Sequence, residues 1–182
     1  MPSRLPTRLG PALAAILVIS GLGAAAGSAA PQEAPAGFDL VRKVQIGPAG
    51  WTDSGLNVKK GEEYFFQADG SISLQKDNPV AACGPEGLAL RTMQQPLLDQ
   101  NLGALICRVR EKVEVVEDKK SGEKVARDVG EMFFVGKENR IAFPADGRLL
   151  FGVNENVLDD NDGVFEVRIY LKRAAARPGP ER

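Results

Sequence analysis

Apolar residues along this chain recur in short runs, and glycine-containing turns separate the runs. The clearest alternation extends over 165–171, where every second residue is apolar from Phe165 to Leu171. This period of two is typical of a strand with one buried face. Further strand candidates are a weakly alternating segment and four apolar or aromatic runs: 41–46, 64–68, 104–109, 132–135 and 149–153. Only Leu88 to Leu98 carries a weak helical spacing. Short strands with regular glycine punctuation predict an all-β fold, an antiparallel sandwich or a closed sheet.

Residues 111–130 have the pattern of a β-hairpin with a charged turn. Val113 to Val116 form one strand candidate and Lys124 to Ala126 the other, with Asp118-Lys-Lys-Ser-Gly122 between them. A turn with this composition favours exposure to solvent. We therefore expect a solvated protrusion, which is an insertion in the sandwich.

The N-terminus has the three parts of a secretory signal. Arg4 and Arg8 precede an apolar stretch that begins at Leu13, and small residues follow at 26–30. The alternative, a permanent membrane anchor, needs about 20 apolar residues, and this stretch is shorter and rich in glycine. We predict a signal peptide over 1–30, a leader over 31–40, a domain over 41–173 and a disordered tail over 174–182. The predicted location is secreted or periplasmic.

The amino-acid composition excludes several classes of catalytic and metal site. The chain contains no histidine, which removes Ser-His-Asp and Cys-His nucleophile pairs and histidine-based zinc sites. We therefore expect no enzyme activity, and a metal would need oxygen ligands, which suits calcium. The formal net charge is −1, and signal removal takes two arginines and no acids, which makes it −3. No basic stripe supports a nucleic-acid partner, and no apolar stretch after the signal is long enough to span a membrane.

The two cysteines, Cys83 and Cys107, form an even pair. Export into an oxidising compartment favours a disulfide between them. The alternative is two buried free thiols, because sequence separation does not establish the geometry.

The densest polar segment is Asn154-Glu-Asn-Val-Leu-Asp-Asp-Asn-Asp-Gly163, between two strand candidates. Its four carboxylates repel one another unless a positive group joins them. A calcium ion, which takes six to eight oxygen ligands, would do so. The alternative is an ordinary Asn/Asp-rich hairpin turn.

The segment from Gly147 to Ile169, GRLLFGVNENVLDDNDGVFEVRI, resembles the C-terminal half of the bacterial PA-IL family of galactophilic lectins, the LecA-like lectins. Other stretches fit in order: WTDSGLNV with Gly61, ADGSI from Ala68, GPEG from Gly84 and GALI from Gly103. The resemblance covers about 41–171. It implies a jelly-roll-like antiparallel β-sandwich of the galactose-binding-domain type, with calcium at one end. In that family an Asp side chain, two consecutive amides and two main-chain carbonyls hold the ion, which then coordinates two sugar hydroxyls.

Carried onto this sequence, the resemblance implies a set of metal ligands. Glu155 takes the place of the Asp, and Asp160 and Asn161 match the consecutive pair. The carbonyls would come from Val157 or Leu158 and from Leu74. Asn154 and Asp159 complete the candidate metal set; Gln95, Asn156 and Asp162 are the candidate ligand-binding residues.

Two departures from the family pattern affect the expected ligand. Glu155 is longer than Asp, and the loop is about two residues shorter. The family's galactose pocket uses a His and a Gln; this chain has no His, and its Gln94, Gln95 and Gln100 do not align securely. Galactose specificity is therefore not expected.

We expect a calcium-dependent carbohydrate-binding module, in which calcium bridges sugar hydroxyls. The alternative is a non-catalytic structural or protein-interaction domain of the same fold, with a cell-envelope protein as partner and calcium only stabilising the loop or absent. A homo-oligomer is possible in either case. Trp51 is either a stacking platform for a sugar or a packing residue.

Overall fold

The structure, a computed structural model, describes residues 35–93, 95–117 and 122–174. The predicted signal peptide, Gln94 and most of the charged hairpin turn lie outside these ranges, as does the predicted tail apart from Ala174. The described chain forms nine β-strands: β1 Phe38–Ile46, β2 Thr52–Val58, β3 Glu63–Ser73, β4 Ala82–Cys83, β5 Leu105–Glu117, β6 Lys124–Phe134, β7 Glu138–Ala142, β8 Gly147–Val153 and β9 Asp162–Lys172. One short 3-10 helix, Pro79–Ala81, precedes β4.

The strands form two antiparallel sheets. The first has the order β1-β9-β3-β4, with β7 also paired to β3, and the second has the order β2-β8-β5-β6. The prediction of an all-β antiparallel sandwich is therefore confirmed. Within the described ranges, no helix has the length and apolar character that crossing a membrane requires.

The core lies between the sheets and follows the alternation in the sequence. Phe165, Val167 and Ile169 in β9 are fully buried, and Phe151 of the opposite sheet meets Phe66 of β3 edge to face, with ring centroids 5.7 Å apart. Each such side chain contributes about 1.5–3 kcal/mol by leaving water. This burial fixes the register of β9, since a slip of one residue would expose its apolar face.

The first strand begins earlier than the sequence predicted. Phe38 starts β1 and is only 5% exposed, and its ring packs against Phe65 with centroids 6.1 Å apart. Phe38 lies before the predicted start of the domain at residue 41. The buried aromatic ring, which a period-of-two pattern starting at Val41 does not include, sets the boundary.

Residues 111–117 and 122–129 form a two-stranded arm. β5 and β6 pair as far as Glu117 and Lys124, whereas β8 accompanies β5 only to Arg110. Four valines of the arm are exposed: Val113, Val115, Val116 and Val125. The arm has no third strand among the described residues, and a two-stranded ribbon alone is marginally stable.

The predicted disulfide is absent. Cys83 and Cys107 are both free and buried, and they lie in different sheets, Cys83 in β4 and Cys107 in β5. The Sγ of Cys83 instead lies 3.9 Å from the carbonyl oxygen of Gly103. Burial raises the pKa of Cys83 to about 11.

Candidate functional site

The polar segment 154–163 connects β8 to the start of β9. Its far end lies beside the chain that leaves β3, because Ser73 pairs with Asp162 and the N–H of Lys76 donates to the carbonyl oxygen of Asp160 at 2.6 Å. Gly163 has a φ of +101°, and a Cβ there would lie 2.5 Å from the carbonyl oxygen of Ser71. The glycine thus allows the close approach that places Leu74 next to the segment.

Asn161 is the centre of the segment. Its Nδ2 donates to Glu155 Oε2 at 2.9 Å and to the carbonyl oxygen of Val157 at 3.4 Å. Its Oδ1 is buried and has no hydrogen-bond partner. An unpaired buried acceptor costs about 1–3 kcal/mol, and a cation would remove that cost.

Glu155 is half-buried beside this amide. Burial raises the pKa of its carboxyl, the hydrogen bond from Asn161 lowers it, and the negative charge of Asp160 raises it further. The net shift is upward, so the ionised form is disfavoured in the protein alone. A positive charge at this position would reverse the effect.

The aspartates of the segment do not converge as their density predicted. Asp159, Asp160 and Asp162 are exposed, and Asp162 Oδ1 accepts a hydrogen bond from the N–H of Gly163 at 2.7 Å. Among the described residues, no group of three or more His, Cys, Asp or Glu side chains is arranged to hold a metal. The four carboxylates of the segment therefore do not form one cluster, since exposed carboxylates lower their mutual repulsion by separating in solvent.

The oxygens that do come together are of mixed type. Glu155 and the Val157 carbonyl both contact Asn161, Asp160 acts electrostatically on Glu155, and the Leu74 segment is adjacent through Lys76. Calcium accepts such a mixture of carboxylate, amide and main-chain oxygens in irregular geometry. The oxygen types suit a calcium ion, but Glu155 and the Val157 carbonyl face Nδ2 of Asn161, so its side-chain amide would have to rotate to bring the unpaired Oδ1 to the same ion.

Asn154, a candidate metal ligand, is buried and hydrogen-bonded within the protein. It is fully buried, its Oδ1 accepts from the N–H of Leu97 at 2.8 Å, and its Nδ2 donates to the carbonyl oxygens of Leu97 and Asn101 at 2.9 and 3.0 Å. All of these groups belong to residues 84–104, which we call the central loop. Asn154 thus ties the central loop to the end of β8, and its polar atoms are already engaged.

Gln95, a candidate ligand-binding residue, is also engaged within the protein. It is 4% exposed, its Oε1 accepts from the N–H of Thr92 at 2.9 Å, and its Nε2 donates to the carbonyl oxygens of Leu97 and Gln100. These bonds hold the central loop together from its buried side.

Trp51 lies in the same pocket as Glu155, which sequence reasoning missed. A pocket of about 100 Å³ is lined by aromatic, aliphatic, glycine and polar residues: Trp51, Pro96, Val153, Leu158, Gly50, Gly152, Glu155 and Asn156. The ring lies against Gly152, where a Cβ would be 3.1 Å from Cε3. The sequence signal for this contact was Gly152, because it is a glycine that follows larger apolar residues in β8.

The comparisons with known proteins concern the fold. No family model matches the chain, and no curated protein matches its sequence. Among solved structures, it is similar to the N-terminal domain of EclA, a PllA-like lectin, with a TM-score of 0.51 and 21% identity over 73% of this chain and 98% of that one. It is also similar to AJLec from the sea anemone Anthopleura japonica, with a TM-score of 0.42 and 10% identity over 76% and 98% of the two chains. These structural neighbours are lectins with a β-sandwich fold, and the likeness to EclA establishes the sandwich fold for this chain.

Proposed function

We propose that this protein is an exported, non-catalytic lectin-like module that binds carbohydrate through a calcium ion in the segment 154–163. The observation that carries the proposal is the buried, unpaired Oδ1 of Asn161, next to a carboxylate whose ionisation the protein alone disfavours. The sandwich fold, shared with a PllA-like lectin, supports it, as does the resemblance of the segment to the PA-IL family.

In this proposal, different residues bind the calcium ion and the sugar. Asn161 Oδ1 and the Glu155 carboxylate hold the ion, with main-chain oxygens of Val157 and Leu74 and the exposed Asp160 completing the set. Calcium held there would supply coordination positions for two neighbouring sugar hydroxyls. Asn156, exposed on the same segment, would contact a sugar bound there.

The fixed position of the segment supports this role. Asn154 joins it to the central loop through three hydrogen bonds, and the backbone bond from Lys76 joins it to the chain after β3. Ligands held in position before binding lose less conformational entropy when the sugar arrives.

A glycan array with the full protein, in calcium and in EDTA, tests the proposal. We expect sugars that are retained in calcium and lost in EDTA, and lost also in the variant Asn161→Leu, which removes the amide oxygen. Asn139→Leu is the matched control, since Asn139 lies on β7 and its amide bonds the carbonyl oxygen of Phe134. The proposal fails if no sugar binds in calcium, or if EDTA and Asn161→Leu leave binding intact.

A second candidate function, a protein-interaction domain, is favoured by the arm. Its four exposed valines, 39–66% accessible, stand on a ribbon with unpaired edges within the described residues. Capture of a cell-envelope protein that free sugar does not displace, and its loss when residues 112–127 are replaced by a short glycine-serine turn, would favour this function. Unchanged sugar binding in the same variant would show that the arm is separate from the calcium segment.

A further inference from the structure

We propose that the pocket between Trp51 and Glu155 selects sugars that carry an acetamido group. This inference rests on the proposed function and names the class of sugar that the same site takes. Trp51 and Pro96 supply apolar surface to the pocket, and Glu155 and Asn156 supply polar surface. Because Glu155 belongs both to this pocket and to the candidate calcium site, one sugar can reach both.

The tryptophan wall is held in a fixed position. Its ring lies against Gly152, and the guanidinium of Arg108 lies over it, 4.2 Å from the centroid. Arg108 is in turn bonded to Asp128 at 2.6 Å. A cation on an aromatic face is attractive, more so when partly desolvated. The wall therefore exists before a ligand arrives, and ordering it costs little binding energy.

The size of the pocket admits a substituent rather than a whole sugar ring. Its volume is about 100 Å³, well below the roughly 300–1,000 Å³ of clefts that enclose a whole drug-sized ligand. The ring must then remain outside, over the calcium segment, while one of its substituents enters.

An acetamido group matches both the apolar and the polar surface of the pocket. Its methyl group suits the Trp51 and Pro96 surface, and its N–H is a donor for the Glu155 carboxylate, which has several acceptor sites. A hydroxyl or hydroxymethyl group offers less apolar surface to the same wall. Burying a methyl group there favours the acetamido sugar, because apolar surface leaves water.

Matched sugar pairs test the inference by calorimetry in calcium: N-acetylgalactosamine against galactose, and N-acetylglucosamine against glucose. We expect the acetamido member of at least one pair to bind about tenfold more tightly, equal to about 1.4 kcal/mol. Trp51→Ala should remove this advantage, so that the two members of the pair bind with equal affinity. Leu98→Ala, at an exposed residue of the central loop that does not line the pocket, should keep the advantage.

Fluorescence of the wild-type protein provides a test that needs no variant. Trp51 is the single tryptophan, so its emission should change on addition of the acetamido sugar, with the dissociation constant that calorimetry gives. Equal affinities within both pairs, or an advantage that survives Trp51→Ala, or emission that does not respond, would overturn the inference and leave the proposed function standing. Failure of every sugar to bind in calcium would overturn both.

Discussion

Replacing Asn154 by alanine tests how the central loop is attached to the sandwich. The substitution removes three hydrogen bonds, to the N–H and carbonyl of Leu97 and to the carbonyl of Asn101. Leu97 and Asn101 are only half-buried, so water replaces part of what is lost. We take about 1 kcal/mol for each bond, or about 3 kcal/mol in all. For a domain of this size, that lowers the melting temperature by about 6–12 °C.

Urea denaturation followed by circular dichroism measures this loss, with Asn139→Ala as the control. The side chain of Asn139 makes two hydrogen bonds, to the carbonyl oxygen of Phe134 and from the N–H of Arg140, both at 2.8 Å, so its loss should be about two thirds as large. A decrease below about 1 kcal/mol for Asn154→Ala would refute the reasoning. It would mean that the central loop is held by other contacts, and that Asn154 is free to serve a ligand after all.

Three further predictions concern single side chains. Because the folded-state pKa of Glu155 is raised, its stabilising contribution is present at acidic pH and is lost as pH rises through that pKa. In EDTA, Glu155→Gln should therefore exceed the wild type in stability at neutral pH but not at acidic pH; urea titrations that show a less stable variant at neutral pH would contradict this. Cys83 and Cys107 are buried and free, so a thiol reagent should modify them only after unfolding, and a native mass two hydrogens short would instead reveal a disulfide. Gly152→Ala should cost about 1–3 kcal/mol by overpacking and shift the emission of Trp51, whose Cε3 would lie 3.1 Å from the new Cβ; unaltered emission would show that the ring has room.

The architecture was predictable where burial sets the pattern. The alternation from Phe165 to Leu171 identified β9, because one face of that strand must leave water. The start of β1 at Phe38 was not predictable in the same way. A single aromatic residue before a weakly alternating segment does not establish the period of two that indicates a strand. The disulfide prediction rested on the compartment alone; the structure has both thiols free, in different sheets, which is the alternative that the sequence left open.

The candidate site was located by its polar density, but the roles within it were not. Glu155 and Asn161, two of the candidate ligands, are hydrogen-bonded to each other, whereas Asn154 is engaged by the central loop. The sequence pattern does not predict the contact between Leu97 and Asn154, because the two residues lie 57 positions apart. Trp51 was separated from the segment by about a hundred residues, and only the pairing of β2 with β8 brings it to the same pocket. Calcium and sugar binding stay predictions.

Thermal melting in EDTA and then in excess calcium tests the central claim most directly. A ligand that binds only the folded state adds about 2.7 kcal/mol at a hundredfold excess over its dissociation constant. That corresponds to a rise of about 5–11 °C for a domain of this size. We predict such a rise for the wild type and none for Asn161→Leu, which lacks the buried amide oxygen. An unchanged melting temperature in the wild type, or an equal rise in the variant, would contradict the assignment of a calcium site to this segment.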